Sequence, residues 1–232
     1  MLIIAEIGQN HNGNMDIAKR LIRLAKESGA DIAKFQLYDV DKIFTPDFKW
    51  YKEGKQSQLT KKQTKELAEE CRKVGIEFMA SVFDLKGVDW MEEISVKRYK
   101  IASRSIYEYD LIDAIAATGK DIIVSLGMYK EKGFPVIRTP AKVDYLYCIS
   151  KYPALPEDLD FTRVNFNKYS GFSDHTIGIE AAIDAISRGA RIIEKHFTLD
   201  KNMHGPDHLL SAEPAELKLL VDYARKVSEM PK

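Results

Sequence analysis

The pentapeptide "ESGAD" at residues 27–31 returns in kind as "KVGIE" at 73–77, "ATGKD" at 117–121 and "SRGAR" at 187–191. Each copy follows an amphipathic segment and precedes a short apolar run. A glycine that takes the left-handed conformation ends a helix there, and the next strand begins at once. Four such stops predict a chain in which helices alternate with parallel strands.

Working outward from these stops, apolar runs predict eight strands: Leu2–Ile7, Asp31–Leu37, Glu77–Ser81, Arg98–Ala102, Asp121–Leu126, Val143–Ile149, Tyr169–Ser173 and Arg191–Phe197. Helices are predicted at Met15–Ser28, Thr60–Val74, Leu85–Ile94, Tyr107–Thr118, Ile179–Ser187 and Glu213–Glu229. Leu21, Leu24 and Ala25, and again Leu217, Leu220 and Val221, form the i, i+3, i+4 stripe of a helix lying on a sheet. Eight strands in 232 residues, close to the roughly 250 of a barrel of this kind, predict an α/β fold, a closed (β/α)8 TIM barrel, as one domain over residues 1–232. A doubly wound open sheet is the runner-up, weakened because no G-x-G-x-x-G follows the first strand. Two connections look irregular. Asp39–Leu59 reads as a long polar and aromatic loop on the side where a substrate cover belongs. Met128–Lys142 holds a glycine and two prolines and no helical pattern, so the fifth barrel helix is expected to be shortened or missing.

Lys and Arg number 35, Asp and Glu 35. That balance argues against a nucleic-acid or anionic-membrane partner. Apolar runs fall short of the roughly 20 residues of a spanning helix. "MLIIAEIG" lacks a basic n-region, and Cys71 and Cys148 make no disulfide framework. A cytoplasmic enzyme or binding protein is expected.

In a barrel, function gathers at the carboxyl ends of the strands. Those ends carry Glu6, Lys34 and Gln36, Ser81 and Asp84, Lys100 and Ser103, Ser125, Ser150 and Tyr152, Ser173 with Asp174 and His175, and finally Lys195 and His196. Strand alternation puts Lys34 with Gln36, and Glu194 with His196, on common faces. Lysines, serines and a tyrosine converging with little acid between them predict a receptor for an anion; the alternative is a structural polar plug. His175 and His196 end adjacent strands about 4.8 Å apart, so both can reach one divalent ion at about 2.1 Å. Either histidine alone would read as a satisfied core residue. Asp174, Glu6 and Asp207 are candidate neighbouring carboxylates, and a site with few protein ligands suits Lewis-acid chemistry. His204 and His208 are expected in loop or rim roles. His11 lies in the first βα loop, where "NHNGN" holds small polar residues suited to sugar hydroxyls or to helix capping at Asn14, two compatible uses.

In order and spacing, "AEIGQNHNG", "KFQ", "KIAS", "SLGM", "YCISKYP", "GFSDHTIG" and "EKHFTLD…GPDH" resemble the N-acetylneuraminate (sialic acid) synthase family, from residue 3 to about residue 211. The resemblance implies a TIM barrel that condenses phosphoenolpyruvate with an unphosphorylated N-acyl amino sugar, N-acetylmannosamine-like, using Mn²⁺ or Mg²⁺. The products are a sialic-type (nonulosonic) acid and phosphate. By the same resemblance, Lys34, Ser81, Lys100, Ser103, Ser125, Ser150, Tyr152 and Ser173 hold phosphoenolpyruvate, with Gln36 beside Lys34. His175 and His196 are the implied metal ligands. Glu6 and Asp207 face the sugar and the metal, and with Lys34 and Lys100 carry the catalysis. Ser81 and Ser150 replace a threonine and an asparagine of the family pattern.

Family members commonly continue into a small antifreeze-like domain whose arginine contacts the N-acyl group, and the sequence up to Lys232 has no counterpart. Three expectations stay open: a barrel that recognises the sugar through the 39–59 loop, Arg104 or Arg138; a separate polypeptide that carries the domain; or a piece of a longer chain. A homodimer would use barrel surface. Competing functions are a synthase of a related 2-keto-3-deoxy sugar acid from a different or phosphorylated sugar, and a non-catalytic sugar-binding barrel. A phosphorylated sugar would need more basic residues than Lys49, Lys52 and Lys55, and a mere binder would have no use for Glu6, Lys34, Lys100, His175 and His196 together.

Overall fold

The computed structural model describes residues 1–230, so the last two positions of the expected 1–232 domain lie outside the described residues. Eight parallel strands pair in sequence order, and the last closes on the first. They are β1 Leu2–Gly8, β2 Ile32–Leu37, β3 Glu77–Val82, β4 Arg98–Ile101, β5 Asp121–Ser125, β6 Val143–Cys148, β7 Gly171–Asp174 and β8 Ile192–His196. The helices are α1 Met15–Glu27, α2 Val40–Ile43, α3 Tyr51–Ser57, α4 Lys61–Val74, α5 Leu85–Glu93, α6 Tyr109–Ala117, α7 Glu180–Ser187 and α8 Pro214–Glu229. The chain is a (β/α)8 barrel, as the helix stops predict. Gly29, Gly75, Gly119 and Gly189 all have positive φ. Asn14 caps α1 by accepting from the amides of Asp16 and Ile17. Gly171 opens β7 where a Cβ would lie 1.8 Å from the Ile192 carbonyl oxygen.

Two expectations are corrected. Residues 39–59 are not a loop but hold α2, capped by Asp39, and α3. Helices of 4 and 7 residues are too short to show a helical period. Two connections, not one, lack an α-helix: β5 to β6 as predicted, and also β6 to β7, where only a 3-10 turn at Pro156–Asp158 forms. Aromatic packing takes the helices' place on that wall. Phe134 lies 5.0 Å from Tyr145 and 4.9 Å from Tyr169, and Phe161 lies 5.1 Å from Phe172, centroid to centroid.

Strand alternation sorts the side chains into layers. Ile4, Ile32, Met79, Ile123, Leu146 and Ile192 form an apolar cluster of their own inside the barrel. Outward-facing residues such as Ala5, Phe35, Ala80, Val124 and Ile193 join the larger core under the helices. Two residues beyond the inner cluster along the same six strands stand Glu6, Lys34, Ser81, Ser125, Cys148 and Glu194. The inner layer thus turns from hydrocarbon to polar within one step of two residues.

The same parity corrects Asp174 and Lys195, which share an outward face with Phe172 and Ile193. They pair with each other at 3.0 Å, both fully buried, and Lys195 also donates to the Thr176 carbonyl. Neither belongs to the inner site. Removing one partner of such a pair leaves an uncompensated buried charge. Lys195→Met is therefore expected to cost about 3–5 kcal/mol in denaturant unfolding, and Lys195→Met with Asp174→Asn to recover most of that loss. An unchanged midpoint in the single variant would show the pair to be energetically idle.

Candidate active site

Registers at the carboxyl end set the neighbours: Glu6 lies beside both Lys34 and His196, Ser81 beside Lys100, and Ser173 beside Glu194. The result is a small polar chamber closed below by the inner apolar cluster. Of the residues expected at the site, Glu6, Lys34, Gln36, Ser81, Lys100, Ser103, Ser125, Tyr152, Ser173, His175 and His196 all line it. Ser150 and Asp207 do not; they line a larger cleft directly above.

Sequence reasoning put Glu194 on the face of His196 but gave this central residue no role. Glu194, 5% exposed, lies between the ammonium groups of Lys34 at 3.5 Å and Lys100 at 3.6 Å, and accepts from Ser173 at 2.8 Å. The chamber is therefore not poor in acid. Its signal was present: Glu194 sits two residues beyond inward-facing Ile192 and two before His196. Lys34 also pairs with Glu6 at 2.6 Å and donates to Ser81, while Lys100 donates to Ser125 at 2.8 Å. Gln36 donates to Glu6 at 2.8 Å.

Burial opposes charge on every one of these groups, and the neighbours decide which keep it. Burial raises the Glu194 carboxyl, yet Lys100 and Lys34 outweigh it and bring the value down to about 2. For Glu6, burial wins with help from the Glu194 charge, against Lys34, and the value rises to about 7. Burial also pushes Lys100 down. With Glu194 ionised, two ammonium groups face one carboxylate whenever Glu6 holds its proton, which it does below about 7. In that state the chamber carries excess positive charge in a low-dielectric setting, which an anion would neutralise.

The rings of His175 and His196 face the same chamber with centroids 5.4 Å apart. Nδ1 of His175 lies 2.7 Å from the Ile149 carbonyl oxygen. A carbonyl only accepts, so Nδ1 carries a proton, and Nε2 is the nitrogen that would give up its proton to a metal, the arrangement that orients a metal-binding imidazole. For His175, burial lowers the value but Cys148, the Ile149 carbonyl and Glu194 carry it up to about 9. His196 is held well below the usual histidine range, by burial first and then by His175, Lys34 and the other nearby cations. Its Nδ1 is buried without a hydrogen-bond partner, 3.8 Å from the Asp207 carboxylate. Two imidazoles with an unspent nitrogen between them fit a cation whose other positions stay open. Among the described residues no three His, Cys, Asp or Glu side chains converge as a metal cluster.

Other expectations are corrected. Asp84 caps α5 at Gly87 and pairs with Lys42, away from the chamber. His11 is buried, accepts from the Gly13 amide and lines neither cavity, so it is no sugar ligand in this arrangement. His208 is a buried hydrogen-bonding residue on Thr198. His204 does stand at the rim, bonded to Glu53 of α3 at 2.8 Å.

The upper cleft measures about 390 Å³ and shares Gln36, Ala102, Ser103 and Tyr152 with the chamber. Its walls are Ile43, Phe44, Phe48 and Trp50 from the 39–59 segment, with Phe83 and Met128 opposite. Arg104 lines it and Arg138 does not. A pocket of this size suits a monosaccharide.

A barrel with such a chamber under such a cleft matches a class of sugar-acid synthases. An uncharacterized protein of Methanocaldococcus jannaschii is 41% identical over 98% of this chain and 71% of its own length. The N,N'-diacetyllegionaminic acid synthase of Campylobacter jejuni is 37% identical over 98% of the chain and 76% of its own. The crystal structure of an N-acetylneuraminic acid (sialic acid) synthetase from Leptospira borgpetersenii, in complex with citrate, superposes with a TM-score of 0.91 at 32% identity. It covers all of this chain and 86% of that one. The model of the NeuB family matches residues 21–231, and the chain belongs to that family.

The Glu6 shift has a consequence for stability. The folded state keeps the Glu6 proton up to about 7, against 4.5 for a free glutamate side chain. Between those limits the folded chain binds more protons than the unfolded one, so stability falls as pH rises, by about 3 kcal/mol at most. Glu6→Gln is expected to flatten that part of the profile in urea unfolding from about pH 4 to 8. A slope unchanged in the variant would assign the proton to another group.

Proposed function

We propose that the chain is a metal-dependent synthase that condenses phosphoenolpyruvate with the open-chain aldehyde of an unphosphorylated N-acyl amino sugar, N-acetylmannosamine-like. The products are a nonulosonic (sialic-type) acid and phosphate. The observation that carries this reading is the buried Lys34–Glu194–Lys100 arrangement, two ammonium groups at the foot of a sugar-sized cleft. Membership in the NeuB family and relatives named as synthases of such acids support it.

Phosphoenolpyruvate carries a carboxylate and a phosphate, and the chamber offers two ammonium groups with the hydroxyls of Ser81, Ser125 and Ser173. Charge-assisted donors held on strands stabilise the anion without reorganising during reaction. The enol carbon attacks the aldehyde carbon and forms the new C–C bond, and the aldehyde oxygen takes a proton. Water then adds to the former enol C2, and the C2–O bond breaks with its electron pair leaving on phosphate. Glu6 titrates near neutrality beside Lys34 and Gln36, which suits it to moving the proton at the aldehyde oxygen. Asp207, its carboxyl pushed up by burial, stands at the floor of the cleft next to His196. A divalent cation, Mn²⁺ or Mg²⁺, held by His175 and His196 would supply Lewis-acid polarisation of that oxygen.

A phosphorylated acceptor has less support. Lys55 is already paired with Asp41, and Lys49 and Lys52 are not among the cleft's lining residues. A purely sugar-binding role leaves the buried lysines and Glu194 without a purpose.

Purified protein given phosphoenolpyruvate, Mn²⁺ and a panel of free and phosphorylated sugars is expected to release phosphate only with an N-acyl amino sugar, the product identified by mass. Lys100→Met should lower turnover about 100- to 1000-fold. His196→Ala should weaken Mn²⁺ binding in calorimetry by about tenfold or more. No phosphate release with any acceptor would sink the reading.

A further inference from the structure

The upper cleft holds one charged group that the proposed reaction does not use. Arg104 follows Ser103 in the 3-10 turn that leaves β4, and Ser103 faces both chamber and cleft. The guanidinium is thereby tethered within a residue of the anion chamber. Its carbon stands 5.6 Å from the ring centre of Phe44 and 5.8 Å from that of Phe83, two walls of the same cleft. Cation–π contact with two rings holds a planar guanidinium without consuming its N–H donors. Among the described residues Arg104 makes no ion pair within 4.0 Å, and it is the only Lys or Arg that lines the cleft. Its five donors are unspent.

We propose that Arg104 is the residue that selects the acceptor, by donating to the carbonyl oxygen of the N-acyl substituent while the alkyl end of that group packs on Phe44 and Phe83. The assignment rests on the synthase reading above. Its logic is chemical complementarity. An N-acyl group joins one strong neutral acceptor to an apolar tip, and this part of the cleft joins one fork of donors to an apolar cup of Ile43, Phe44, Phe48 and Phe83. A hydroxyl in the same place would leave the cup unfilled. A phosphate monoester would bring nearly two negative charges to a single cation within apolar walls, and would lose hydration that one guanidinium cannot replace.

The test separates selection from turnover. Binding of N-acetylmannosamine, of mannose and of N-acetylmannosamine 6-phosphate is measured by calorimetry on the wild type, Arg104→Ala and Arg104→Lys, each with phosphoenolpyruvate present, and turnover is measured in parallel. The wild type is expected to bind the N-acyl sugar at least about tenfold more tightly than mannose, the scale of one charged hydrogen bond. Arg104→Ala should erase that ratio and raise the KM for the N-acyl sugar, with the KM for phosphoenolpyruvate unchanged. Arg104→Lys should restore only part of it, since an ammonium lacks the planar fork. The assignment is overturned if the ratio survives in Arg104→Ala, if the wild type shows no preference for the N-acyl sugar, or if the phosphorylated sugar binds best and loses most in the variant. Absence of turnover with intact, Arg104-dependent binding would count against the synthase reading and leave the selection role standing.

Discussion

Glu194 lies between two ammonium groups inside a closed barrel, and the rest of the site depends on that contact. Neither Lys34, 2% exposed, nor Lys100, 1% exposed, could stay charged there without an anionic neighbour. One carboxylate shared between two cations keeps them in place and leaves charge over. The apolar layer beneath, from Ile4 to Ile192, excludes water from below and so raises the strength of every interaction above it. Glu6 shows the effect. Next to a lysine a carboxyl would ordinarily lose its proton easily, but burial and the fixed negative charge of Glu194 move its titration to about 7.

The barrel was legible in the sequence because its signals are local. A left-handed glycine between helix and strand needs no partner elsewhere in the chain, and all four such glycines keep that conformation. The wall between β5 and β7 was half legible. The prolines before β6 announced a missing helix, but the loss of the next one rests on packing among Tyr147, Phe161 and Phe172, residues far apart in sequence. The site shows the same division. His175 and His196 were found because they close consecutive strands, and their rings do face one chamber. Lys195 and Asp174 were misplaced, and Glu194 was placed on the right face but given no role, for one reason. Strand-end position is a weaker guide than strand parity, which sends Lys195 outward and turns Glu194 toward the lysines. Counting in twos from Ile192 would have sorted them.

The cleft was the least legible part because it is assembled from short helices and a turn. Phe44 and Trp50 belong to a segment whose helices run 4 and 7 residues, and Phe83 and Arg104 come from the ends of other strands. No periodicity links them. Pairing of β2, β3 and β4 side by side brings Arg104 near the rings of Phe44 and Phe83.

Chamber and cleft are therefore built from different materials, and that difference carries through to function. Groups on strands in a closed sheet are held by ladder hydrogen bonds on both sides, so the lysines, Glu194 and the His196 imidazole keep fixed spacings, with His175 one residue past β7. The cleft walls hang on α2, α3 and the residues that follow β3, β4 and β5, where side chains and even whole turns can change without disturbing any strand pairing. Chemistry that demands exact charge placement sits on the rigid part. In the proposed reaction, recognition of the acceptor falls to the adaptable part. A substitution at Phe44 or Phe83 alters the shape offered to a sugar and leaves the Lys34–Glu194–Lys100 contact untouched, because no residue of that contact lies on the cleft wall.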